Sequence, residues 1–151
     1  MAFEFRSLCP LLQVFDMPIS LRVYGDVLGF QVVSASADGD DANWIWLRRG
    51  SADLMLNTAY DPGDRPSRPE PHRVAAHGDT ALFFACPDLD AAYQHLTQHR
   101  VEVAPPATTP YGMRQMQVSD PDGYELCFQW PASDISGDRW RAEYREAGLG
   151  N

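Results

Sequence analysis

The chain contains no lysine; all twelve of its basic residues are arginine, against 21 acidic residues and a net charge of -9 over 151 residues. Without lysine there is no Schiff-base nucleophile, no phosphate-loop lysine and no lysine general base. A deficit of positive charge also disfavours a nucleic-acid partner, whose phosphates demand a basic face, and an anionic membrane surface. The acids are spread evenly, ten in residues 1–75 and eleven in residues 76–151, so no charged tail is built. Cysteine is sparse. Cys9, Cys86 and Cys127 form no CxxC pair, which speaks against a disulfide framework or a structural zinc site and for a reducing, cytoplasmic setting. No apolar run reaches the roughly 18 residues of a membrane span, and no basic-then-apolar leader opens the chain.

What is present is a hydrophobic fraction of 44%, enough for a core. Residues 8–15 read as a short apolar strand. Asp16 then caps a helix with Pro18 in its first turn, and Gly29 stops it. Strands are expected at 30–34, 44–47 and 54–57, with an acidic turn at 35–42 and a tight turn at 49–51. A second pass repeats the order. It has a strand at 81–85, a helix capped by Asp88, alternation at 101–103, a strand at 111–118, the turn Asp120-Pro121-Asp122-Gly123, and a last strand at 124–130. The pattern is βαβββ twice: module one over 8–57 and module two over 79–130 of a single domain. The proline-bearing connection 58–78 reads as a loop, either a cover over a site or a plain linker. In the extension 131–151, a polar helix is expected from Asp138 to Ala147, with Trp140 and Tyr144 on one face.

These motifs carry a resemblance. Val14-x-Asp16 followed by Ser20-x4-Gly25-Asp26-Val27-Leu28-Gly29-Phe30 resembles the opening module of the vicinal oxygen chelate superfamily. That superfamily includes glyoxalase I, bleomycin- and fosfomycin-resistance proteins and extradiol dioxygenases. Asp88-Leu89-Asp90-Ala91-Ala92-Tyr93 resembles the second module's opening. Tyr111-Gly112-x-Arg114 and Asp120-Pro121-Asp122-Gly123-Tyr124-x-Leu126 resemble its closing hairpin. The resemblance implies an α+β fold in which two βαβββ modules form an open, curled mixed sheet with a concave, ligand-holding cavity. Here a C-terminal helix is added. It also implies four metal-ligand positions, on the first and fourth strand of each module. Counting back seven residues from the caps gives Cys9 and Ala81; the fourth-strand positions are Met55 and Cys127, and both pairs share an offset of 72.

That set has no imidazole and no carboxylate, whereas the metal ions of such enzymes want oxygen and imidazole donors. A register slip of two would bring in Asp79 and Glu125 while leaving the first module without a donor. Cys9, Met55 and Cys127 together would suit only a thiophilic ion; buried cysteine and methionine are otherwise plain core residues. No metal or cofactor is therefore expected.

Strand alternation extends the face. Gln13 accompanies Cys9, Asn57 accompanies Met55, Phe83 accompanies Ala81, and Glu125 and Gln129 accompany Cys127. With Met116 and Val118 in the core, Gln115 and Gln117 face the ligand, and Tyr111 lies nearby. Trp44 and Trp46 share a face of undetermined phase. The expected function is binding of a flat, partly aromatic small molecule, with negative charge favouring a cation, by a protein resembling the bleomycin-resistance members and forming a homodimer. One alternative is a metal-dependent lyase, isomerase or dioxygenase with displaced ligands Asp79, Glu125, His72 and His77; His72 and His77 could also act as acid–base groups. Another is a structural or regulatory module. His95 and His99 read as an exposed helix C-terminus, and Arg114 as an anion contact or an ion pair.

Overall fold

The computed structural model describes residues 3–61 and 63–132. The expected helix at 138–147, with Trp140 and Tyr144, lies outside the described residues. The chain divides into two compact units, residues 1–71 and 72–151.

In the first unit, β1 (Leu11–Val14) leads to α1 (Met17–Leu21), which continues as a π-helical stretch over Arg22–Val27. Then come β2 (Gln31–Ala35), β3 (Trp44–Arg49) and β4 (Ala52–Thr58). The helix starts where Asp16 accepts a 3.0 Å hydrogen bond from the Ile19 N–H, and it ends before Gly29, whose φ is +72°. The sheet order is β1-β4-β3-β2, with β1 parallel to β4 and the other pairs antiparallel. One face of this sheet is apolar: Leu12, Val14, Ile45, Leu47, Leu54 and Leu56 are buried, as are Met17 and Tyr24 of the helical segment. Each such side chain contributes about 1.5–3 kcal/mol by leaving water, so this face fixes which residues the other face can display.

The second unit opens with α2 (Pro71–His77), followed by β5 (Ala81–Ala85), α3 (Leu89–Gln98), β6 (Ala107–Thr108), β7 (Met113–Ser119) and β8 (Glu125–Pro131). Its order, β5-β8-β7-β6, repeats the first unit's topology. Each sheet is four-stranded, mixed and open, so the chain is α+β with two βαβββ-type repeats. Leu89 and Leu96 of α3, Met116 and Val118 of β7 and Leu126 of β8 are buried. Asp88 caps α3 through the Ala91 N–H at 2.9 Å. Asp88→Ala should therefore cost about 1 kcal/mol, read as a lower midpoint in urea unfolding.

Two expectations are corrected. The connection 58–78 is not loop throughout, because α2 begins at Pro71, a residue suited to the first helical turn. The strand expected at 101–103 is absent; β6 forms at 107–108 instead. Pro105 and Pro106 precede it and have no N–H to give to a ladder.

The turn joining β7 to β8 is tightly built. Asp120 accepts the N–H groups of Asp122 and Tyr124 at 2.9 and 2.8 Å, and both Asp120 and Asp122 are buried. Against this turn, the His77 ring stacks on Tyr124 with centroids 4.1 Å apart, and His77 Nδ1 lies 2.7 Å from the Asp122 carbonyl oxygen.

Candidate functional site

The face of each sheet opposite its buried side carries the expected site residues in matching rows. In the first unit, Leu11 pairs with Met55 and Met55 with Trp46; Gln13 pairs with Asn57 and Asn57 with Trp44. In the second, Phe83 pairs with Cys127 and Cys127 with Gln117; Gln129 pairs with Gln115, and Glu125 with Ser119. Strand pairing thus sets the phase of the tryptophans. They lie opposite buried Ile45 and Leu47, on the face with Met55 and Asn57, and both are half-buried. Leu11 is 47% exposed and Phe83 57% exposed, large for apolar side chains in mid-strand.

Amides join neighbouring strands in both units. Asn57 Nδ2 donates to Gln13 Oε1 at 3.2 Å, and Gln115 Nε2 donates to Gln129 Oε1 at 2.8 Å. The Tyr111 hydroxyl donates to Gln115 Oε1 at 3.1 Å, so Tyr111, Gln115 and Gln129 form one hydrogen-bonded chain. Such linked amides combine directional polar groups with apolar area from the adjacent aromatic rings. Cys127 is fully buried and offers no surface of its own.

The sequence reading missed Asp53. It lies two residues before Met55 on β4, hence on the same face, and that spacing was the available signal. A slip of two from Met55 does bring a carboxylate into the first module, contrary to the expectation above. This carboxylate is already engaged: Arg48 Nε and Nη2 donate to its two oxygens at 2.6 and 2.7 Å. Those bonds hold the Asp53 carboxyl below its ordinary range. The Arg48 guanidinium also lies 5.3 Å from the Trp46 ring centroid. The buried Trp46 indole N–H also helps to lower the Asp53 carboxyl, as a donor directed at it that falls short of good hydrogen-bonding geometry.

Burial pushes the Cys9 thiol up, Asp53 adds to the rise, and Arg48 opposes it. A raised thiol is a poor thiolate source. Cys9 should therefore alkylate more slowly at pH 8 than an ordinary exposed cysteine, with its inflection at higher pH. Asp53→Asn, which leaves Arg48 unopposed, should speed the reaction; iodoacetamide kinetics across pH 7–10 check both. Burial, and then Glu125, likewise raise the Cys127 thiol.

The four positions implied for a metal thus hold a thiol kept neutral, a thioether, a methyl group and a buried thiol. They do not fit an ion that wants oxygen and imidazole donors. Among the described residues, no group of three or more His, Cys, Asp or Glu side chains is placed to hold a metal ion. Of the alternative ligand set, His77 is held against Tyr124 and the Asp122 carbonyl. The remaining polar candidates have structural partners as well. Arg114 forms a two-point ion pair with Asp90 at 2.9 and 2.7 Å, tying β7 to α3. His99 Nδ1 lies 2.9 Å from the His95 carbonyl oxygen at the C-terminal end of α3.

Residues 8–128 match the family model described as the Glyoxalase/Bleomycin resistance protein/Dioxygenase superfamily. The chain is 33% identical over 120 residues to the uncharacterized protein YaeR of Escherichia coli (strain K12), covering 74% of this chain and 84% of that one. Among solved structures it is similar to TnmS3, an antibiotic binding protein from Streptomyces sp. CB03234. The TM-score is 0.61 and the identity 26%, over 87% of this chain and 98% of that one. It shares its fold with a bleomycin resistance determinant encoded on the transposon Tn5, at TM-score 0.59 and 20% identity, over 83% and 97% of the two chains. Two repeats of the same sheet order, the paired caps at Asp16 and Asp88, and a family match spanning most of the chain lead to one statement: the protein belongs to the Glyoxalase/Bleomycin resistance protein/Dioxygenase superfamily.

Proposed function

We propose that the protein binds a flat, partly aromatic small molecule on the non-core faces of its sheets, without a superfamily metal ion and without chemistry. The observation that carries this reading is the placement of Trp44 and Trp46. Both lie half-exposed on the face opposite the core, beside Met55, Gln13 and Asn57, where a soluble protein gains nothing from displaying indole rings unless something covers them. On the first unit's face the amides of Gln13 and Asn57 would orient a ligand; the second unit's own face offers the amides of Gln115, Gln117 and Gln129 with the rings of Phe83 and Tyr111. A chain of net charge -9 favours a ligand with positive character, and Glu125 adds a carboxylate on the second unit's face, whereas the Asp53 charge is already balanced by Arg48. Similarity to an antibiotic binding protein supports sequestration as the purpose, and the donor set at positions 9, 55, 81 and 127 argues against metal-dependent turnover.

The test is a panel of planar aromatic compounds, cationic and neutral, titrated while tryptophan fluorescence and thermal unfolding are followed. Saturable quenching with a rise in Tm is expected, larger for cations; a flat response across the panel would remove the reading's support. We further propose a homodimer, for which exposed Val32 and Val33 of β2 supply apolar surface. Light scattering on the purified chain decides this point.

A further inference from the structure

The two units differ at one sheet edge. In the first, β2 lines β3 over residues 31–35. In the second, β6 pairs with β7 at only two positions, Ala107 with Gln115 and Thr108 with Arg114. Continuing that register would set residue 105 against Gln117 and residue 103 against Ser119. Pro105 has no N–H for the Gln117 carbonyl, and Pro106 restricts its neighbour, so the ladder stops.

Residues 101–104 stand off from β7 instead, leaving a groove of about 310 Å³ lined by Val101, Glu102, Val103, Ala104, Gln117 and Ser119. Main-chain direction follows from the bonds that are made. The Thr109 N–H donates to the Met113 carbonyl at 2.7 Å, so Met113 points its carbonyl toward β6, and by alternation Gln115, Gln117 and Ser119 do the same. Asp120, of the opposite phase, donates its N–H to Tyr124 across the β7–β8 turn. Among the described residues, no backbone hydrogen bond joins 101–106 to Gln117 or Ser119. The N–H and C=O groups of both residues therefore face the groove at the spacing of a missing strand.

We propose that this groove binds a short, extended basic peptide, which adds a strand beside Gln117–Ser119. Peptide is the occupant that matches main-chain donors and acceptors repeating every second residue. Basic character follows from Glu102, the one ionisable side chain among the lining residues. The groove uses the main chain of Gln117 and Ser119 at the β7 edge, not the Gln117 side-chain amide assigned above to a small molecule, and it does not depend on binding at the indole-bearing face of the first unit.

The probe is an acetylated, amidated tetrapeptide of alternating valine and arginine, added to the full-length ¹⁵N-labelled chain. Its controls are a valine–glutamate counterpart and two versions N-methylated on alternate amides, one in each phase. The Gln117 and Ser119 amide resonances should move saturably with the basic peptide. At least one N-methylated version should fail to bind. The acidic peptide, and the basic peptide on Glu102→Gln, should bind about threefold to fivefold more weakly, as for an exposed ion pair. Pro105→Val, which restores an N–H opposite Gln117 and lets β6 lengthen, should also weaken binding. Unmoved Gln117 and Ser119 resonances at millimolar peptide, or undiminished binding by both N-methylated versions, would overturn the proposal even if Pro105→Val does not fold.

Discussion

Gly123→Ala should destabilise the second unit by about 3 kcal/mol or more, one of the largest losses available to a single added methyl group here. Two independent costs meet at this residue. Gly123 has φ of +89°, in the left-handed half of backbone space, where a residue with a Cβ pays about 1–2 kcal/mol. A Cβ there would also run into the main-chain carbonyl of Val74 in α2. Overpacking of this kind costs about 1–3 kcal/mol, and the obstacle is backbone, which has no rotamer by which to withdraw. To relieve the clash, α2 would have to lift from the turn, loosening the His77 stack on Tyr124 and the contact of His77 with the Asp122 carbonyl. Urea unfolding should show the lower midpoint. Val74→Ala should not rescue it, since the carbonyl remains. A loss below about 1 kcal/mol would mean that α2 is not seated on the turn as described.

Trp46→Ala should weaken binding of a planar aromatic ligand at least tenfold, about 1.4 kcal/mol, while costing little stability. The combination is diagnostic. A tryptophan in the core would cost about 3–5 kcal/mol on truncation to alanine. Trp46 instead lies on the face opposite Leu47 and Ile45, bordered by Met55 and covered in part by the Arg48 guanidinium. What truncation removes is ring area for a ligand, an indole N–H poorly aligned on Asp53, and one wall of the Arg48–Asp53 pair. Asp53→Asn should spare neutral ligands more than cationic ones. Equal loss for both would assign Asp53 to holding Arg48 rather than to reading ligand charge.

Much of this arrangement is legible in the sequence because local chemistry decides it. Asp16 and Asp88 cap helices by accepting backbone N–H groups that need a partner, and the short apolar run 81–85 coincides with its strand. The four metal positions are what the family resemblance implies, placed by counting back from the two helix caps. What was not legible depends on pairing between distant segments. The phase of Trp44 and Trp46 is set by β3 aligning with β4, because a strand with bulky apolar residues on both faces reads equally well either way. Helix α2 was hidden among prolines that suggested loop, although Pro71 suits a helix start. The shift of the sixth strand to 107–108 follows from Pro105 and Pro106, whose missing N–H groups outweigh the β-rich alternation before them. Asp53 shares the Met55 face by its two-residue spacing, but its role rests on a partner in β3 that spacing along β4 does not show. The structure adds that an arginine on the adjacent strand engages it.

The central claim, ligand binding on an indole-bearing sheet face without a metal, is tested most directly by one fluorescence titration. Protein stripped with a chelator is titrated with a planar aromatic cation, alongside Trp46→Ala. The account predicts saturable quenching of the stripped wild-type protein and at least tenfold weaker binding by the variant. Binding that appears only when a stoichiometric divalent metal is restored, or no binding by either protein, would contradict it.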